Sequence, residues 1–179
     1  MAPANNYVFY GIDGSEIYNY LLQREMRLPS FGMHSPQLNH RSSLVSWVSN
    51  ACKRFSLQKT TEYLAILLMD HFMDNYVVDE DQLQLLALSC VLISGIYSDE
   101  FFSPCHVGRQ LITLHWVFIA KHEEKEIDIP RPFDLAMLCR HSYSDSLSMK
   151  MELTVLKFLS WSIGFPTVAH FRYIFILDL

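Results

Sequence analysis

Apolar positions recur at helical spacing along most of this chain. Leu38, Leu44, Val45, Val48 and Cys52 share one face of a predicted helix that starts at Ser35-Pro36 and runs to about Phe55. Ser35 suits the cap and Pro36 the first turn. A second helix follows Ser56 and carries Leu57, Tyr63, Leu64, Leu67, Leu68 and Phe72. A third starts at Glu80, with Asp79 and Gln82 spaced as a capping box. Its residues Leu83, Leu85 to Leu88 and Cys90 to Ile93 leave almost no polar face, which predicts a helix in the middle of a bundle. Gly95 reads as its left-handed C-terminal stop. Ser144 predicts the cap of a last long helix through Leu147, Met151, Val155, Leu156 and Leu159, ending near Gly164.

Shorter elements surround these. Ser15 to Met26 predicts a short helix with Ile17, Tyr18, Leu21 and Leu22, after twelve residues of no clear period. Leu28 to His34, with Pro29 and Gly32, is a connector. Phe133 to Cys139 predicts a short helix, and Pro166 opens a helical stretch from Thr167 to Leu179. Strand signals are scarce, so the fold class is all-α. Between Gly95 and Ile119 the character changes. Ser98-Asp99-Glu100 and Ser103-Pro104 read as turns, and Val107 to Trp116 has no period that separates helix from strand. Phe101, Phe102, Leu111, Ile112, Trp116, Val117 and Phe118 are too apolar for a solvated loop and need cover.

The chain has 179 residues, half of them apolar and 18% charged, which fits one domain or one domain plus a fragment. No apolar run approaches the ~18 residues of a transmembrane helix, and the N-terminus lacks the basic and apolar regions of a signal peptide. A net charge of −5 is poor material for nucleic-acid binding. Cys52, Cys90, Cys105 and Cys139 are widely spaced, which suggests free thiols in a reducing compartment. Cys105, His106, His115, Cys139 and His141 lack zinc-ligand spacing, so no metal is expected. No phosphate-binding, dinucleotide or hydrolase motif is present, so neither a cofactor nor an enzymatic activity is expected.

Several blocks together are more specific. Leu83 to Ser94 reads LQLLALSCVLIS and Ala120 to Glu126 reads AKHEEKE; with residues 95–119 removed, the two join cleanly. LPSF at Leu28 to Phe31, SPQL at Ser35 to Leu38, LALSC at Leu86 to Cys90 and PTVAHF at Pro166 to Phe171 occur in order. The chain resembles the cyclin family in these blocks, and most of all its cyclin J and cyclin J-like branch. The resemblance covers Ser15 to Leu179 apart from an insert at 95–119. It implies an N-terminal segment with a short helix (1–34), a five-helix cyclin box (35–164) and the first helix of a truncated second cyclin fold (165–179). The insert would interrupt the third box helix.

The resemblance also implies site residues. Arg41 and Asp70 match the family's ion pair between the first two box helices; by composition alone they would be solvated surface charges. Lys121 and Glu152, with Glu123 and Glu124 beside the lysine, match the residues that hold the mobile helix of a cyclin-dependent protein kinase. Leu156 and Ile163 match their apolar surround, and His122 stands where the family usually has Phe. His40, Ser43, Leu44, Trp47 and Gln84 match a substrate-docking patch, but His40 and Ser43 replace apolar walls, so docking there should be weak and Trp47 should sit in the core or at its rim. The implied function is a regulatory subunit that binds such a kinase and favours its active conformation, in the nucleus or cytoplasm, without homo-oligomers. The alternative is an all-α interaction scaffold, a variant whose insert impairs kinase activation.

Overall fold

The computed structural model describes residues 14–29, 31–101, 135–139, 143–169 and 171–172, with backbone only at 14–17 and 96–101. Within them the regular structure is helical: α1 (Gly14–Glu25), α2 (Leu38–Arg54), α3 (Lys59–Asn75), α4 (Glu80–Phe101) and α5 (Asp145–Phe158). Among the described residues no helix is long and apolar enough to cross a membrane.

Helix α4 is the axis. It packs on α3 most extensively, then on α5 and α2. Every residue from Leu85 to Gly95 is buried, as a helix without a polar face requires. Val48 and Cys52 from α2, Leu64, Leu68 and Phe72 from α3, and Val155 and Leu156 from α5 join it in one core. Each such side chain contributes roughly 1.5–3 kcal/mol on burial. Two hydroxyls in this run, Ser89 Oγ and Ser94 Oγ, are buried without a hydrogen-bond partner among the described residues.

Gly95 does not end α4. The helix continues through Ser98, Asp99 and Glu100 to Phe101, so the expected left-handed stop and the turn after it are both corrected. Glycine inside a helix costs about 1 kcal/mol relative to alanine. Gly95 is buried with the ten residues before it, and tertiary packing outweighs that local cost. The stop signal carried no information about burial.

Helix ends elsewhere follow local chemistry. Ser144 caps α5 as its spacing predicts, its Oγ accepting from Leu147 N at 3.3 Å. Ser35 does not cap α2. The helix begins at Leu38, with Gln37 at the N-cap position. Ser35 instead organises the turn before it: its Oγ accepts from Gln37 N at 3.1 Å and its carbonyl oxygen from Leu38 N at 3.3 Å. Tertiary bonds account for the shift, since Gln37 Nε2 donates to Val78 O at 3.0 Å and Ser35 N donates to Asp74 Oδ1 at 3.3 Å. The Asp79–Gln82 capping box is replaced by a backbone bond from Gln82 N to Asp79 O, 2.8 Å. Of the expected Phe133–Cys139 helix, Leu135 and Ala136 are helical and the chain then turns, with Leu138 N donating to Leu135 O and Cys139 N to Ala136 O; Phe133 and Asp134 lie outside the described residues.

Helices α2 and α5 share one C-terminal device. Leu57 N reaches back to Cys52 O at 2.9 Å and Ser56 N to Lys53 O at 3.2 Å; Trp161 N reaches Leu156 O at 2.9 Å and Ser160 N Lys157 O at 3.0 Å. These are Schellman pairs, whose turning residue is left-handed. Ser56 (φ 54°) and Ser160 (φ 50°) fill positions that favour glycine, and Trp161 follows at φ 61°. This turn ends α5 at Phe158 rather than near Gly164. Beyond it, Ile163, Pro166, Thr167 and Ala169 return to the interior, and residues 168–169 and 171–172 are helical.

At the far end of α3 the His71 ring lies 4.8 Å from Phe158, which also meets Phe72 and Tyr76 edge-on at 5.3 Å each. Burial lowers the His71 pKa, against the opposing pull of Asp74.

Two predictions arise from these contacts. Replacing Ser56 and Ser160 by glycine relieves two left-handed serines, so each change should stabilise by roughly 0.5–1 kcal/mol in denaturant unfolding. For His71, the unfolded chain takes up a proton near the ordinary value of 6.5 and the folded chain only at lower pH. Stability is therefore fully present above that value and falls as pH drops toward the folded pKa. Urea titrations between neutral and mildly acid pH should show this loss, and His71→Leu should flatten it.

Candidate functional site

The best-defined polar assembly lies where α2 crosses α3. Arg41 Nε donates to Asp70 Oδ1 at 2.8 Å and Arg41 Nη2 to Asp70 Oδ2 at 2.7 Å, a two-bonded fork between planar groups. The Asp70 side chain is 10% exposed and that of Arg41 35%. The hydrogen bond to Asp70 raises the Arg41 pKa, against some desolvation. On its other side the guanidinium lies 5.1 Å from the Phe31 ring centroid, a cation–π contact. Phe31 belongs to the connector before α2, whose backbone is tied to α3 by Gly32 N donating to Asp74 Oδ2 at 2.7 Å. Two carboxylates one helical turn apart, Asp70 and Asp74, thus hold α2 and its lead-in. No sequence signal identified Asp74, Phe31 or the Gln37–Val78 bond, because each depends on residues about 10 to 42 positions apart being brought together.

The matched docking residues are scattered in environment. Leu44 is buried. Trp47 is half-buried and its Nε1 donates to Leu138 O at 3.1 Å, which commits the indole to the fold. His40 is half-exposed, with Nδ1 3.9 Å from Glu80 Oε1, and Ser43 is exposed. Gln84 is half-buried.

The matched kinase-facing residues divide differently. Lys121, Glu123 and Glu124 lie outside the described residues. Glu152, on α5, is 0% exposed, and Leu156 and Ile163 are 4% and 1% exposed. The structure therefore places these three inside the bundle, with Leu156 and Ile163 in the core cluster. Helical spacing explains the first two: Glu152 and Leu156 are four apart and share the face that Ser148 and Val155 also bury. Cys52, Cys90 and Cys139 are free. Burial raises all three thiols, Cys52 to about 12 and Cys139 to about 11, so they stay protonated and unreactive. Among the described residues no group of three His, Cys, Asp or Glu side chains could hold a metal ion.

A central buried helix, flanked by helices tied through an Arg–Asp fork, defines an all-α helical bundle. The family profile of the cyclin N-terminal domain matches residues 16–164, beginning inside α1 and ending after α5. This chain belongs to the cyclin family, which consists of regulatory proteins rather than enzymes. It is 31% identical to cyclin-J of Homo sapiens over 88% of its length and 37% of that protein's. It is 27% identical to the cyclin-J-like protein of Mus musculus over 88% of its length and 36% of that protein's. A G2/mitotic-specific cyclin-B2 of Rana japonica is 25% identical over 87% of the chain and 34% of the relative. The chain thus spans about a third of the length of these relatives.

Removing Arg41 leaves the Asp70 carboxylate desolvated and without its partner. Fully buried pairs lose 3–5 kcal/mol in this way and exposed pairs about 0–1. Arg41→Ala should therefore lower unfolding free energy by about 2 kcal/mol, and Arg41→Lys should restore little, since lysine cannot form the fork. Chemical denaturation of the two variants checks both.

Proposed function

We propose that this chain acts as a cyclin-type regulatory subunit that binds a cyclin-dependent protein kinase and favours its active conformation, in the nucleus or the cytoplasm. The observation that carries the reading is the cyclin N-terminal domain match across residues 16–164, formed around the buried helix α4. A kinase is active when its strand lysine pairs with a glutamate on a mobile helix. A partner that contacts only the inward position of that helix shifts the population toward activity. Moving such an equilibrium from 1:99 to 99:1 takes about 5.5 kcal/mol of differential binding. One exposed ion pair supplies at most about 1 kcal/mol, so Lys121 acts within a broader contact surface. Glu152, being interior, supports that surface from behind rather than touching the kinase directly in this conformation.

A second reading, an interaction scaffold that activates nothing, is favoured by that same burial. Glu152, Leu156 and Ile163 are all covered, so an apolar contact face built from them is not on offer.

Purified cyclin-dependent kinases, tested for binding and for stimulated activity with this chain and with a version lacking residues 95–119, separate the two. The regulatory reading expects both forms to bind and stimulate. Stimulation by the shortened form alone would make the inserted segment inhibitory. Failure of both folded forms to bind would overturn the regulatory reading in favour of the scaffold.

A further inference from the structure

The connector before α2 sets a serine directly ahead of a proline, Ser35-Pro36, and holds it by short polar bonds. Ser35 N donates to Asp74 Oδ1 at 3.3 Å, and Gly32 N donates to Oδ2 of the same carboxylate at 2.7 Å. The Ser35 hydroxyl donates to Gln37 Oε1 at 3.0 Å and accepts from Gln37 N at 3.1 Å. Gln37 Nε2 in turn donates to Val78 O at 3.0 Å, so the hydroxyl begins a strap from the connector to the α3–α4 loop. Ser35 is 5% exposed and Gln37 7%. Around them Phe31, Gly32, Met33, His34 and Pro36 are all exposed. A loop held in by hydrogen bonds, with no large apolar side chain beneath it, can open without unfolding the bundle.

Proline has no backbone N–H. A protein kinase whose site offers no acceptor to the residue after the phosphoacceptor therefore selects serine followed by proline. Pro36 lies exposed for that recognition. In the transfer, Ser35 Oγ attacks the γ-phosphorus of ATP, the bond to the β–γ bridging oxygen breaks, ADP leaves, and the hydroxyl proton passes to the kinase's catalytic aspartate. The closed loop has no place for the product. A phosphate carries a charge of roughly −1.5 to −2 at neutral pH, and in the closed loop it would face the Asp74 carboxylate. The esterified Oγ has no hydrogen left for Gln37 Oε1. Residues 31–37 and 74–81 contain no lysine or arginine to pair with it, and Arg41 is already bound twice to Asp70.

We propose that Ser35 is a phosphoacceptor for a proline-directed serine/threonine kinase, masked by Asp74 and Gln37, and that its phosphorylation releases the connector from α3. Ser35 acts here as a substrate, so the proposal does not rest on this chain activating a kinase.

The test incubates the intact chain with ATP, Mg²⁺ and an activated mitogen-activated protein kinase, and follows Ser35 by site-resolved mass spectrometry. Ser103-Pro104 is the chain's other serine–proline pair, which is why the readout must resolve sites. Ser35 should be phosphorylated slowly in the intact chain and roughly tenfold faster in Asp74→Ala, which removes two bonds to a charged acceptor. Asp74 is 39 positions from Ser35, so this change alters the masking and leaves the recognition sequence intact. A synthetic peptide of residues 31–41, which lacks Asp74, should react fastest, and Pro36→Ala should abolish the reaction. After phosphorylation the Gly32 and Ser35 amides should exchange faster while Leu85 to Ile93 stay slow. Circular dichroism confirms that each variant is folded; Asp74→Asn, with a smaller increase, serves if Asp74→Ala is not. No phosphate on Ser35 in the peptide or the intact chain, equal rates with and without the folded Asp74 change, indifference to Pro36→Ala, or unchanged exchange after phosphorylation would each overturn the proposal.

Discussion

From Leu85 to Gly95 every residue of α4 is buried, so this helix has no side to give to water and its neighbours must enclose it. That constraint sets the architecture. Helix α3 covers the largest share, and α5 and α2 take the rest. Enclosure also extends α4 through Gly95, because burial on all sides holds the helical backbone where glycine alone would release it. Each enclosing helix then needs its own orientation. For α2 against α3 the Arg41–Asp70 fork supplies direction that apolar contact alone does not.

Much of this was readable in the residues. The run from Leu83 to Ile93 identified the central helix because a helix apolar all round has only one stable location. Ser144 identified a true cap because its bond is local, to Leu147 N. Arg41 and Asp70 became a pair only through family resemblance, since nothing in their own spacing of 29 residues links them. Ser35, Gly95 and the capping box at Asp79 misled for one common reason. Local signals state what a residue can do, and tertiary bonds decide whether it does so. Gln37 reaching Val78 and Asp74 reaching the connector moved the start of α2 by two residues beyond Pro36. The end of α5 was misplaced because serine at positions 56 and 160 gives no sign of a left-handed turn, whereas glycine would have.

The site was less legible than the fold. The family resemblance set Glu152, Leu156 and Ile163 on a contact face, whereas all three side chains are buried, the first two on α5 and Ile163 beyond its end. Periodicity supports the interior placement, since Ser148, Glu152, Val155 and Leu156 fall on one side of the helix. They belong to the packed interior that holds α5 and the segment after it against the bundle.

Residue-resolved hydrogen exchange on the intact chain tests the central claim most directly. A continuous, enclosed α4 should give the slowest amides in the protein between Leu85 and Ile93, with protection running past Gly95 toward Phe101. Fast exchange beginning at Gly95 would contradict it, placing a break in the helix at the glycine itself.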